Sequence, residues 1–192
     1  SSVRIRSTDQ GGLFSEKAFI ITVTNVNEAP SMMAVADATV NVGANVSITN
    51  SATDFDLPLQ NLTFSMLSGP SNAMLNFSSG ILTWRPLVSQ QGQVFPISVR
   101  VVDNGTPPLS ETNTFTLTVS PLSLPTLSLV SVLDGQVTLG VNGEVGPDYV
   151  LWSSTNLTGW ESLLTFTPAT LPMTVTVTNT EWQRFYRLQL AP

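Results

Sequence analysis

Apolar and polar positions alternate along this chain in short runs, and nowhere do they settle into the three-and-four spacing of an amphipathic helix. The runs cover residues 3–6, 18–23, 40–48, 62–67, 81–84, 95–102 and 114–119, each set off by Gly, Pro, Asn or Asp. Six more follow at 127–132, 136–141, 149–153, 161–165, 173–177 and 185–190. A period of two sends alternate side chains to one buried face. With turn residues at regular intervals, it predicts an all-β chain of tandem antiparallel Greek-key β-sandwiches.

The pattern divides the 192 residues. Residues 1–30 hold two strands around a Gly11-Gly12 turn, and residues 31–120 a complete sandwich of about seven strands. Residues 121–125, within Ser120-Pro121-Leu122-Ser123-Leu124-Pro125, read as a short semi-stiff linker. Residues 126–192 hold a smaller sandwich. A lone hairpin is marginal in water, so residues 1–30 need a cover. Either the next sandwich supplies it, or a neighbouring chain does, which makes a homodimer by strand exchange. The chain opens mid-pattern at Ser1-Ser2-Val3-Arg4-Ile5 without a signal peptide or an apolar span. It reads as a fragment of a longer exported protein, ending at that protein's natural C-terminus.

Composition narrows the chemistry. Charged residues make up 10% of the chain, against ~25% in ordinary domains, so Ser, Thr and Asn carry most polar positions. A net charge of −6 argues against nucleic acid and anionic membranes, and it supplies carboxylates for divalent cations. Without cysteine there is no disulfide, thiolate metal site or thiol nucleophile. Without histidine there is no Ser-His-Asp triad and no imidazole-bound zinc. Catalysis is left to carboxylates, hydroxyls and the single lysine, Lys17.

Hard oxygen ligands gather at three places: Asn25-Val26-Asn27-Glu28-Ala29-Pro30, Asp54-Phe55-Asp56 and Asp103-Asn104-Gly105. Such clusters at a joint suit Ca²⁺, which takes six to eight oxygens in a flexible shell. They also suit plain turns, where Asp and Asn side chains accept from nearby backbone N–H groups. Asp54 and Asp56 can also imitate a glycosidase pair, whose carboxyl groups stand roughly 5–9 Å apart, although their spacing suits a cation better. Glu144 and Asp148, around the Gly146-Pro147 turn, read as solvated loop charge.

Three families are resembled. Residues 8–30, from Thr8-Asp9-Gln10-Gly11-Gly12 to Asn27-Glu28-Ala29-Pro30, resemble the last strands and linker of a cadherin repeat. Residues 31–120 resemble the cadherin-like or immunoglobulin-like modules of bacterial surface proteins. That likeness rests on Ala52-Thr53-Asp54-Phe55-Asp56, Ser79-Gly80-Ile81-Leu82-Thr83-Trp84 and Val102-Asp103-Asn104-Gly105-Thr106-Pro107. In cadherins, linker and loop carboxylates of successive repeats meet around calcium. Carried over, this implies linker ligands at Asn25, Asn27 and Glu28, loop ligands at Asp54, Asp56 and Asp103, and a backbone ligand near Asn61. Leu82-Thr83-Trp84-Arg85 stands where the family has Leu-Asp-Arg-Glu, so the resemblance implies one weak site, not several tight ones. Pro121–Pro125 carries no carboxylate, so packing and proline stiffness are expected to hold the second joint. Residues 126–192, with Trp160 and Arg184-Phe185-Tyr186-Arg187, resemble a C-terminal sandwich of exported proteins from environmental bacteria.

Three functions follow as expectations. The first is a non-catalytic spacer or adhesion segment of a bacterial secreted or surface protein, facing a protein or glycan ligand, with Ca²⁺ stiffening the first joint. The second is a carbohydrate-binding module using Trp152 and Trp182, with Trp160 filling the core. The third is a carboxylate- or calcium-dependent hydrolase of esters or glycosides.

Overall fold

A computed structural model describes residues 1–22 and 26–191. Among the described residues seventeen strands follow one another, interrupted by one 3₁₀ turn at Val88–Gln90. The first two, β1 (Ser2–Thr8) and β2 (Phe14–Ile20), form a two-stranded antiparallel hairpin. Val3, Ile5 and Phe19 lie on one of its faces, Val3 directly opposite Phe19. Every residue from 1 to 22 is exposed except the half-buried Val3. The next sandwich therefore does not cover the hairpin, and that half of the expectation is withdrawn.

The middle sandwich begins with β3 (Ser31–Met32), β4 (Ala38–Val40), β5 (Val46–Thr49) and β6 (Ala52–Thr53). It continues through β7 (Thr63–Ser68), β8 (Met74–Leu75), β9 (Ile81–Trp84), β10 (Val94–Val102) and β11 (Ser110–Val119). One sheet has the order β4-β11-β10-β7, and the facing one β5-β9-β8, with β3-β6 as a separate pair. All pairings are antiparallel except β4 with β11, which is parallel. Leu82, Trp84, Ile97, Val99, Val101, Phe115 and Leu117 fill the space between the sheets, each at most 3% exposed. Trp84 meets Phe95 edge-on, with ring centroids 5.2 Å apart.

Residues 40–48, expected as one strand, are two strands separated by a turn. Gly43, at φ +73°, turns the chain there, and its N–H donates to Pro86 O at 2.8 Å. Val42 is 1% exposed although it sits in that turn, so the apolar alternation runs straight through the break.

The C-terminal sandwich comprises β12 (Thr126–Leu133), β13 (Gln136–Asn142), β14 (Tyr149–Ser154), β15 (Glu161–Phe166), β16 (Met173–Thr178) and β17 (Phe185–Leu190). Its sheets are β12-β13-β16 and β15-β14-β17. Val137, Leu139, Val141, Leu151 and Val175 make a second core, separate from the first. β12 and β17 are edge strands of opposite sheets that touch each other, and an open cavity lies beside them. No described helix is long and apolar enough to cross a membrane.

Candidate functional site

Two polar clamps mark the ends of the middle sandwich. At the first, the segment entering β3 lies against the loop after β6 and the turn between β10 and β11. Asn27 Nδ2 donates to Asp103 Oδ2 at 3.2 Å and to Pro107 O at 2.8 Å. The Glu28 N–H donates to Asp56 Oδ2 at 2.8 Å. Gln60 Nε2 donates both to Asn27 Oδ1 and, at 3.1 Å, to Asp56 Oδ2. The result is a continuous chain, Asp56–Gln60–Asn27–Asp103, in which two carboxamides link two carboxylates.

The local backbone explains why these residues can meet. Asp54 Oδ1 accepts from Asp56 N at 2.9 Å, an Asx turn that presents both carboxylates from one loop. Asp103 Oδ1 accepts from Gly105 N at 3.0 Å and Leu109 N at 2.9 Å, closing the second loop. Gly105 also makes room for the linker: a Cβ there would fall 1.8 Å from Asn27 Oδ1. Burial pushes the Asp103 carboxyl upward, but the Leu109, Gly105 and Asn27 donors outweigh it and leave the pKa below its ordinary value.

Of the expected ligands, the structure joins Asn27, Asp56 and Asp103 in this network, and it brings Glu28 in only through its backbone, its side chain being exposed. Asn25 lies outside the described residues. At Asn61 the backbone N–H donates to Asn104 Oδ1 at 2.7 Å. Gln60 carries no sequence signal of its own, because its role depends on Asn27, far away in the chain, and the Asp103-Asn104-Gly105 turn signal does not reveal that Gly105 also makes room for Asn27.

Among the described residues, no three acidic groups converge as a metal cluster would require. Asp56 and Asp103 already receive amide donors. Asp54 Oδ2 and Gln60 Oε1 differ: both are buried without a hydrogen-bond partner. Two buried oxygens lacking donors are what a hard cation relieves. Asp54 Oδ2 and Gln60 Oε1 are thus the oxygens of this joint left without a donor, whereas Asp103 is held by amides.

At the second clamp, Arg85 at the end of β9 reaches across to the loop before β14. Its Nε donates to Gly43 O at 2.9 Å and its Nη2 to Gly146 O at 3.0 Å. The guanidinium also grips Asp148 in bidentate fashion, at 3.2 Å and 2.9 Å. Thr167 Oγ1 donates to the same carboxylate. That hydroxyl first, and Arg85 second, hold the Asp148 pKa below its ordinary value. The backbones touch here, for a Cβ on Gly43 would lie 2.1 Å from Gly146 O. Asp148 is thus an ion-pair partner and not solvated loop charge. Glu144 accepts from Ser123 N at 2.7 Å, tying the linker to the same region. Packing and proline stiffness are not the whole of this joint; an arginine spans it.

The tryptophans separate. Trp152 and Trp160 share one guanidinium, Arg187 Cζ standing 5.4 Å and 4.3 Å from their ring centroids. Trp160 does not fill the core: its Nε1 donates to Leu157 O at 3.1 Å, and it is absent from the second core's packing. Trp182 is 92% exposed and borders a different cavity, beside Arg184 and Tyr186.

Residues 27–120 match the family model described as "Putative Ig domain". The fold is similar to human CDH23 EC21-23 at 15% identity and TM-score 0.52, over 97% of this chain and 72% of that one. It is also similar to the protocadherin GammaB4 extracellular domain at 18% identity and TM-score 0.51, over 81% of this chain and 30% of that one. For protocadherin Gamma B2 extracellular cadherin domains 3-6 the values are 18% and 0.50, over 70% and 36%. The chain thus spans about a third of each protocadherin. No curated protein sequence matches. At these identities the likeness is one of fold.

Proposed function

With residues 27–120 an immunoglobulin-like module on a cadherin-like β-sandwich framework, we propose that the chain is a non-catalytic spacer and adhesion segment of a bacterial secreted or surface protein. Its units would be residues 1–30, the end of a preceding repeat with its linker; 31–120 and 126–192, two sandwiches; and 121–125, the linker between them. The observation that carries this reading is that the middle sandwich is clamped at both ends. Asn27 and Glu28 bind its loops at one end, and Arg85 binds Asp148 beyond the other. Clamped joints turn a string of sandwiches into a stiff rod, which suits a spacer that holds a binding surface away from a cell.

In this reading the first joint holds through its amides and gains further from one weakly bound Ca²⁺ at Asp54 and Gln60. Thermal unfolding in millimolar Ca²⁺ against EGTA tests it. Ligand linkage gives about 2.7 kcal/mol at a hundred times the dissociation constant, so a weak site should give less. The rise should vanish in Asp54→Asn. An unchanged melting temperature would make Asp54 a turn residue and leave the amides as the whole clamp.

A further inference from the structure

The C-terminal sandwich opens to solvent beside the edge strands β12 and β17. A cavity of about 550 Å³ runs along this opening, within the ~300–1,000 Å³ usual for small-molecule sites. Its floor includes Val137 and Leu139, which are 4% and 3% exposed. Leu129, 65% exposed, adds apolar surface from β12. Arg184 and Tyr186 line the opposite wall, and Trp182 stands at the rim.

Two features of this wall have no use within the fold. Arg184 Nε and Tyr186 Oη are buried with no hydrogen-bond partner, although Arg184 Nη2 donates to Ser153 Oγ at 3.1 Å. A buried donor left unpaired is costly, and a ligand or ordered water recovers that cost. Burial also raises the Tyr186 pKa, only partly offset by Arg184, so the hydroxyl keeps its proton and remains a donor at neutral pH. Meanwhile Trp182 presents an indole almost entirely to solvent.

We propose that this opening is a binding site for a neutral pyranose glycan, stacked on Trp182 and hydrogen-bonded by Arg184 Nε–H and the Tyr186 hydroxyl. A pyranose combines an apolar C–H face, which lies on an indole, with a girdle of hydroxyls that accept and donate in its plane. A purely apolar ligand would leave both donors unpaired. A polyanion would meet a chain of net charge −6, with part of the Arg184 guanidinium already engaged by Ser153. A peptide adding as a strand to β12 would pair through its backbone and leave Trp182 and the two side-chain donors unused. Trp152 belongs to the Arg187 stack and takes no part, so the expected two-tryptophan platform becomes one tryptophan with two hydrogen-bond donors.

The test titrates the whole chain with methyl β-glucopyranoside, methyl β-galactopyranoside, methyl α-mannopyranoside and cellotetraose. The indole N–H resonances of its four tryptophans are followed by NMR. At least one probe should shift the resonance that disappears in Trp182→Ala, saturably, and that variant should no longer bind. Tyr186→Phe should weaken binding roughly tenfold, about the worth of one hydrogen bond, without lowering the melting temperature, since the lost hydroxyl has no partner in the fold. Three results would overturn the proposal: no saturable shift with any probe, binding retained in Trp182→Ala, or a Tyr186→Phe chain that binds as before.

Discussion

Replacing Arg85 by Met nearly keeps the length of the side chain and removes the guanidinium donors that span the second joint. Four hydrogen bonds disappear, two to the carbonyls of Gly43 and Gly146 and two to Asp148. The ionic part is small. The two side chains are 39% and 34% exposed, so solvent screens them, and such a pair contributes about 0.2–1 kcal/mol. The carbonyl bonds contribute about 1 kcal/mol each, which brings the expected loss to roughly 2–3 kcal/mol. The Gly43 bond lies within the middle sandwich, so only the Gly146 and Asp148 bonds, roughly 1–2 kcal/mol, couple the two sandwiches with their separate cores, and their loss should appear as uncoupled unfolding and not as collapse of either. In Arg85→Met, calorimetry should resolve two transitions where the parent shows one broader event. Pulsed dipolar spectroscopy between spin labels at Ser78→Cys and Thr174→Cys should show a widened distance distribution. The chain has no cysteine of its own, so these labels are unambiguous. A double-mutant cycle with Asp148→Asn should assign about 0.5–1 kcal/mol to the pair itself. Unchanged calorimetry and an unchanged distance distribution in Arg85→Met would refute the reasoning, leaving the joint to backbone contact at Gly43 and Gly146.

Acid should loosen the same joint. The Asp148 pKa lies below its ordinary 3.8 in the folded chain, so its contribution is complete above that value and is lost as pH falls through the lower folded value. The label distances should therefore hold from neutral pH down to the ordinary carboxylate range and widen only below it; widening well above it would implicate another group. At the first joint, Gly105→Ala places a methyl where the Asn27 carboxamide lies and should expel it. Hydrogen exchange at the Glu28 N–H should then accelerate roughly tenfold, equivalent to about 1.4 kcal/mol of lost protection. Exchange at the parental rate would show that Asn27 does not hold the linker.

Much of this fold can be read from residue order, and the failures have physical reasons. The six C-terminal strands fall within one residue of their expected ends, and β13 and β16 show why, alternating cleanly between inward and outward positions. Residues 40–48 mislead because Val40, Val42, Val46 and Ile48 keep the two-residue rhythm across a turn that only the positive φ of Gly43 reveals. The aspartates of the first clamp stand out because Asp-x-Asp and Asp-Asn-Gly are turn sequences whatever else they do. Gln60 and Arg85 do not stand out. Gln60 meets Asn27 across 33 positions, and Arg85 meets Asp148 across 63. No local pattern encodes such a meeting. Trp160 fails the other way: it reads as core by type, yet Arg187 offers its ring a cationic partner outside the core.

The parallel pairing of β4 with β11 has a mechanical meaning. Ala38, Thr39 and Val40 lie beside Leu117, Thr118 and Val119, and Ser120 N adds a bond to Val40 O at 2.9 Å. The chain enters the middle sandwich through β3, reaches β4 from there, and leaves at the end of β11. Tension on the two ends therefore drags these neighbouring strands past each other along their length. Hydrogen bonds loaded in that direction share the force and must give way together, whereas an antiparallel pair pulled at its open end parts one rung at a time. A tether built this way yields late under load, and the hairpin ahead of it, with a single ladder and no core, would open first.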